Sequence, residues 1–262
     1  MVALYLSLLS GIIVALQYDP GAPYYSASSL DLLVPFGAFW RSLHFYSSQV
    51  FFLFSVAHLV AIILAGSHRK MAAAQWLRLI LSLVVILLLL FTGYILRSDS
   101  TGSSAGIIAE NILLSIPVLG EWLNAVLFSI AGEGMKRIYP NHLIGLGLLW
   151  MFLAWNHIRR YQVSWRQHGG FTLAIILFSV FLDAPMEPER LGVFDIAGPW
   201  FFLGLQELLR HAQPFWAGIV FPASLVLALV LLNQGGGAAR RAPHYILAWL
   251  VIYVGLTVVG LL

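Results

Sequence analysis

The sequence predicts an all-α integral membrane protein of seven transmembrane helices, and two features carry that prediction: a composition without enough polar surface for water, and charges sorted by loop. Hydrophobic residues make up 60% of the 262 positions and charged residues 10%, where soluble chains carry about 25% charged residues. Mean hydropathy is +0.89. A span needs roughly 20 mostly apolar residues to cross ~30 Å of hydrocarbon. Seven stretches qualify or come close: residues 1–17, 50–66, 76–96, 140–158, 171–184, 215–232 and 246–262. The first lacks a basic leading region and a small-residue exit before Tyr18, so it reads as a helix and not as a cleaved signal.

The net charge of +3 is unevenly placed. Arg69, Lys70, Arg78, Arg159, Arg160, Arg166, Arg240 and Arg241 fall between helices two and three, four and five, and six and seven, and no Asp or Glu joins them. The other loops hold all 11 acidic residues. The positive-inside rule then predicts a multi-pass protein of a bacterial-type cytoplasmic membrane, with a cytoplasmic N-terminus and an outer C-terminus. These basic clusters orient the chain and predict no nucleic-acid surface.

With no cysteine, structural disulfides, thiolate metal sites and protein-ligated iron–sulfur clusters are excluded from this chain. A metal must be held by His or carboxylate.

Long connections, at 18–49, 97–139 and 185–214, fall on the outer side, where a binding or docking surface is expected. Within the second, 105–117 and 121–130 read as an interfacial helical hairpin broken by Pro117 and Gly120. The third leads through Pro199 into an amphipathic segment at 200–210. The polar inner segment 161–170 divides a four-helix front (1–165) from a three-helix C-terminal part (166–262).

Histidines supply the chemistry. His44 and His58 stand 14 residues apart in helix two, and His142 and His157 stand 15 apart in helix four. Fourteen residues give about four turns, ~21 Å, on one face, while fifteen drift by about 60°. Both helices run from outside to inside, so His44 is level with His142 near the outer surface, and His58 with His157 near the inner one. Two opposed imidazoles at each of two levels predict two bis-histidine b-type haems, the first pair on an outer iron and the second on an inner iron. His68, His168, His211 and His244 lie at loop edges and read as ordinary polar residues. Arg41 and Arg137, ahead of His44 and His142, are expected to pair with haem propionates; the alternative is that they snorkel. Gly11 and Gly93 would let a porphyrin approach the backbone, with Gly145 and Gly147 in the same role, although glycine is also common at membrane helix interfaces.

On these residues the chain resembles the cytochrome b family of the Rieske–cytochrome b complexes. The matching pieces are Arg41-Ser-Leu-His44 with His58, Gly93-Tyr-Ile-Leu96, Asn111-Ile-Leu-Leu-Ser-Ile-Pro117, and Arg137 before His142 and His157. The 15-residue interval followed by Ile158-Arg-Arg160 is similar to the chloroplast and cyanobacterial branch, whose four-helix and three-helix parts are separate chains. The resemblance implies quinol oxidation near the outer haem, quinone reduction near the inner one, and partner subunits carrying a Rieske cluster or c-type haem. A second copy of the chain is a further expected partner.

Two family motifs are replaced. Where the family has Pro-Glu-Trp-Tyr in the outer quinol pocket, this chain has Gly198-Pro199-Trp200-Phe201, so Pro199, Trp200 and Phe201 are the quinone-site candidates and the acid is missing. Glu207, two turns after Trp200, is the candidate catalytic acid, with Glu187, Glu189 and Asp195 as alternatives; solvated surface charge is the other reading of all four. The family's Pro-Trp-Gly after helix three is replaced by Arg97-Ser-Asp-Ser-Thr-Gly102. His168 and Arg166 are candidates for an inner quinone site, or else charges that set topology. The leading expectation is therefore a quinone-coupled electron-transfer subunit; the second is a di-haem anchor linking an outer-face dehydrogenase or reductase to the quinone pool. A transporter would show broken helices or mid-membrane charge, and neither is evident beyond the histidines.

Overall fold

The structure, a computed structural model, describes residues 1–130, 133–189 and 196–262; of the acidic candidates, Asp195 lies outside the described residues. Regular structure among them is helical: α1 (Val2–Ala15), α2 (Pro23–Leu32), α3 (Gly37–Leu64), α4 (Ala73–Leu96), α5 (Ser100–Leu114), α6 (Gly120–Leu127), α7 (Gly134–Ile158), α8 (Trp165–Phe181), α9 (Leu203–His211), α10 (Phe215–Leu231) and α11 (Gly237–Val259). Four of these, α3, α4, α7 and α11, are long and apolar enough to cross a bilayer. The chain is an all-helical, multi-pass membrane protein. α1 and α10 are apolar but shorter, and α8 has 17 residues. The end of the bundle carrying Gly37, Leu96 and Gly134 is called outer below, after the charge pattern.

Helix α3 starts 13 residues before the apolar stretch at 50–66 that marks it in the sequence. Its first turns carry Arg41, His44, Ser47 and Gln49, too polar to read as a span, yet at 28 residues it reaches well past the hydrocarbon on the outer side. The loop expected at 18–49 therefore ends at Gly37. A side chain at Gly37 would collide with the Leu30 carbonyl, so only glycine lets α2 and α3 meet at this close turn.

α1, α3, α4 and α7 pack consecutively. Leu4 of α1, Phe51 of α3, Val85 and Ile86 of α4, and Trp150 and Ala154 of α7 share one cluster at the bundle's centre. α8 packs along α3 and α1, whereas α10 and α11 pack on each other and α10 on α4. The last three long helices thus lie on two sides of the front bundle. At the inner end, the Asn233 amide donates to the carbonyls of His68 (2.6 Å) and Met71 (3.0 Å), and the Trp76 indole to Leu229 (2.8 Å). These bonds staple α10 to the α3–α4 turn. On the outer side α5 and α6 form the expected hairpin over the end of the bundle, closed by Asn124 donating to the buried Glu110 at 2.8 Å.

Candidate cofactor site

The four histidines meet as two pairs. Ring centres of His44 and His142 are 6.4 Å apart, and those of His58 and His157 are 5.9 Å apart. The level match between a 14-residue and a 15-residue interval has a local cause in α7. Pro140 lies inside that helix and the next five residues, Asn141–Gly145, form a π turn. Proline donates no N–H and crowds the carbonyl four residues back, so the ladder slips to the wider i→i+5 spacing and absorbs one residue. The 15 residues then count as 14 helical steps, about 40° short of four turns, which is also the phase of His44 and His58 on α3.

Each outer ring is held from behind. His44 Nδ1 lies 2.9 Å from the Ser7 carbonyl, which fixes it as the donor. His142 Nδ1 lies 2.9 Å from the Thr92 hydroxyl, whose own hydrogen goes to Leu88. Both Nε2 atoms are left as acceptors, the state a metal requires. A Cβ on Gly11 would stand 2.8 Å from His44 Cε1, and one on Gly93 3.1 Å from His142 Cε1. The glycines expected to admit a porphyrin thus make room for the imidazoles here.

Around the outer rings lies a cavity of about 610 Å³ lined by His44, His142, Gly11, Gly93, Gly147 and Trp150 among others. Its size falls in the range of about 300–1,000 Å³ usual for cofactor sites. The Trp150 indole N–H is buried there without a hydrogen-bond partner among the described residues. Pro199, Trp200 and Phe201 line the same cavity, and Trp200 is pinned by donating to Gln49 at 3.0 Å.

The cations are arranged differently from the expectation. Arg41 lines the cavity, but Arg137 points away and donates to the Ala125 carbonyl at 2.6 Å. The second lining guanidinium is Arg97, one residue past α4. Arg137 stands nearer His142 in sequence, whereas the turn after α4 brings Arg97 to the cavity. Glu207 is buried away from the cavity lining, paired with Arg210 (3.2 Å) and His211 (3.0 Å) and close to Gly260 of the α11 end. Glu187 accepts from Ser100 at 2.8 Å. Arg166 is exposed at the inner start of α8, and His168 Nδ1 sits 3.1 Å from the Ser164 carbonyl as a local cap. Neither belongs to the cavity.

A family model described as cytochrome b (N-terminal)/b6/petB matches residues 49–174, which include His58, His142 and His157. Cytochrome b6 of Heliobacterium mobile is 29% identical over 154 residues, covering 57% of this chain and 72% of that protein. The cytochrome bc1 complex cytochrome b subunit of Streptomyces coelicolor is 28% identical over 201 residues, covering 73% of this chain and 36% of that one. The family model and these relatives support a membrane cytochrome b in electron transfer. In fold, the chain matches a chain of a hyperthermophilic respiratory Complex III with a TM-score of 0.71 at 21% identity, over 100% of this chain and 82% of that one. The match spans 66% of a second heliobacterial b6 and 27% of the Sulfolobus acidocaldarius cytochrome b.

Cytochromes b bind haem b, and the residues present fit it. With metal–nitrogen bonds of about 2 Å and each ring centre roughly 1 Å further back, two imidazoles sharing one metal ion stand about 6 Å apart between centres. Both pairs in this chain meet that spacing.

Proposed function

We propose that this chain carries electrons across the membrane through two b haems, the outer held by His44 and His142 and the inner by His58 and His157, as the quinone-coupled subunit of a bc-type complex. The observation that carries the proposal is the pairing of four histidines from only two helices, α3 and α7, at two levels ~21 Å apart. When bound, haem supplies reversible one-electron chemistry, and bis-histidine ligation leaves no open iron position for oxygen or substrate. The protein's part is orientation and insulation. The Ser7 carbonyl and Thr92 hydroxyl hold the outer imidazoles in the ligating tautomer, and the apolar cluster around Leu4, Ile86 and Trp150 walls the cavity on the side of the inner pair. Seven spans, with α1, α8 and α10 counted among them, put the N-terminus in the cytoplasm and the C-terminus outside. Residues 1–165 would hold the haems and 166–262 would complete the outer pocket.

Purified protein should give two haems b per chain in a pyridine haemochrome spectrum. Substituting Leu for His44 or His142 removes the outer haem, and for His58 or His157 the inner one. Retention of both haems in H44L or H58L would refute the assignment.

A second reading, a di-haem anchor passing electrons between an outer-face dehydrogenase or reductase and the quinone pool, is favoured by one observation. Among the described residues no Asp or Glu lines the cavity shared by Trp200 and Phe201, so bifurcated quinol oxidation lacks its usual proton acceptor. Oxidant-induced haem reduction in membranes distinguishes the two: its presence supports the bc-type reading, and its absence with intact quinol-dependent haem reduction supports the anchor.

A further inference from the structure

We infer that Arg97, set beside an Arg41 already committed to Asp31, is the clamp for a propionate carboxylate of the outer haem. The inference rests on the haem reading above and concerns the segment in which this chain departs from the family motif. Arg41 and Arg97 are the two guanidinium groups among the cavity's lining residues. Arg41 has little left to offer: its Nε and Nη2 pair with Asp31, Nη2 also donates to Ala184 (2.7 Å), and Nη1 donates to Pro185 (3.3 Å). Arg97 differs. Its Nε donates to Asp99 at 3.0 Å, Nη2 pairs with the same carboxylate and reaches Thr101 at 3.3 Å, and the guanidinium lies 4.7 Å over the Tyr94 ring. Those bonds leave both hydrogens of Nη1 uncommitted among the described residues, on a side chain that is 12% exposed. A cation of that kind at a low-dielectric boundary is suited to a carboxylate.

What fixes Arg97 is as informative as what it leaves open. Asp99 is fully buried and accepts from Gly102 N–H (2.9 Å), the Thr101 hydroxyl (3.2 Å) and Glu187 N–H (3.0 Å). It cannot swing away, so the Nε–Nη2 edge of Arg97 stays against it and the Nη1 edge is presented elsewhere. The neighbouring residues Ala184 and Pro185 receive Arg41, and the Ala184 N–H donates to Ser42 at 2.8 Å. One short stretch, 184–187, therefore positions both cations.

The test is a potentiometric titration of purified wild-type protein and R97Q, with haem content measured on the same samples. A cation beside a haem favours the reduced, more negative state. R97Q is thus expected to lower the outer haem's midpoint potential, by about 59 mV for a tenfold shift in the reduction equilibrium, and to leave the inner haem unchanged. R97K, which keeps the charge, should recover most of the difference. Two haems with an unmoved outer potential in R97Q overturn the inference, as does R137Q shifting that potential while R97Q does not. Should R97Q lose the outer haem, retention of that haem in R97K supports the clamp and its loss in both variants assigns Arg97 a structural role instead. Wild-type protein without haem b overturns the haem reading itself, which keeps the two failures distinct.

Discussion

At the scale of single residues, the histidines were legible because an ionisable group inside an apolar helix needs a reason to be there. Arg97 was not, since it sat in a segment noticed only for what it replaced. Its role depends on how sharply the chain turns after Leu96, and residue types alone do not give that turn. Tyr18 shows the same dependence on neighbours. Its ring stacks on Tyr139 with centres 5.2 Å apart and its hydroxyl donates to the Leu96 carbonyl at 2.9 Å. Burial, with smaller contributions from Tyr139 and Asp19, pushes its phenol above the usual tyrosine range. A proton kept in the fold but lost from the unfolded chain near pH 10 means that this stabilisation is complete below about pH 10 and fades as pH rises further. Thermal unfolding in detergent should therefore show stability falling above about pH 10 in the wild type. Y18F should flatten that fall while losing about 1 kcal/mol at neutral pH with the hydrogen bond; an equally steep alkaline fall in Y18F would count against Tyr18 as its source.

At the scale of elements, apolar runs located the long helices, but their polar extensions escaped. Residues 37–49 of α3 carry serine, arginine and glutamine, and helix there is stabilised by packing on α1 and α2 more than by hydrophobicity. The outer hairpin was readable from Pro117 and Gly120. The cap that starts it was harder to weigh: Asp99 accepts from Gly102 N–H as the N-cap of α5 and also pairs with Arg97. Losing both functions at once should be costly. A cap alone contributes about 1 kcal/mol, and breaking a buried pair about 3–5 kcal/mol, so D99A should destabilise by at least about 3 kcal/mol in detergent unfolding. D31A, whose carboxylate is 24% exposed, should cost clearly less; equal losses would show that burial of the Arg97 pair is not what matters.

For the molecule as a whole, charge sorting between loops foretold a multi-pass chain, and hydropathy foretold its helical character. How the last three long helices group around the first four was not in the pattern, because lipid-facing and helix-facing apolar surfaces have the same composition. The proposed topology has a direct check: alkaline phosphatase fused after Leu262 should be active, and fused after Tyr161 inactive, with the reverse result ruling out the seven-span orientation. The π turn at Asn141–Gly145 bears on the whole bundle in another way. Because it stores one residue outside the regular ladder, α7 can change length there without rotating one histidine level against the other. Deleting Ile144 should convert the turn to ordinary helix and leave both haem spectra in place, whereas deleting Leu153, beyond the turn, should cost the inner one. The bundle thus tolerates loss of a residue at this turn, and a descendant gene that lost a codon there would still encode an unbroken electron path.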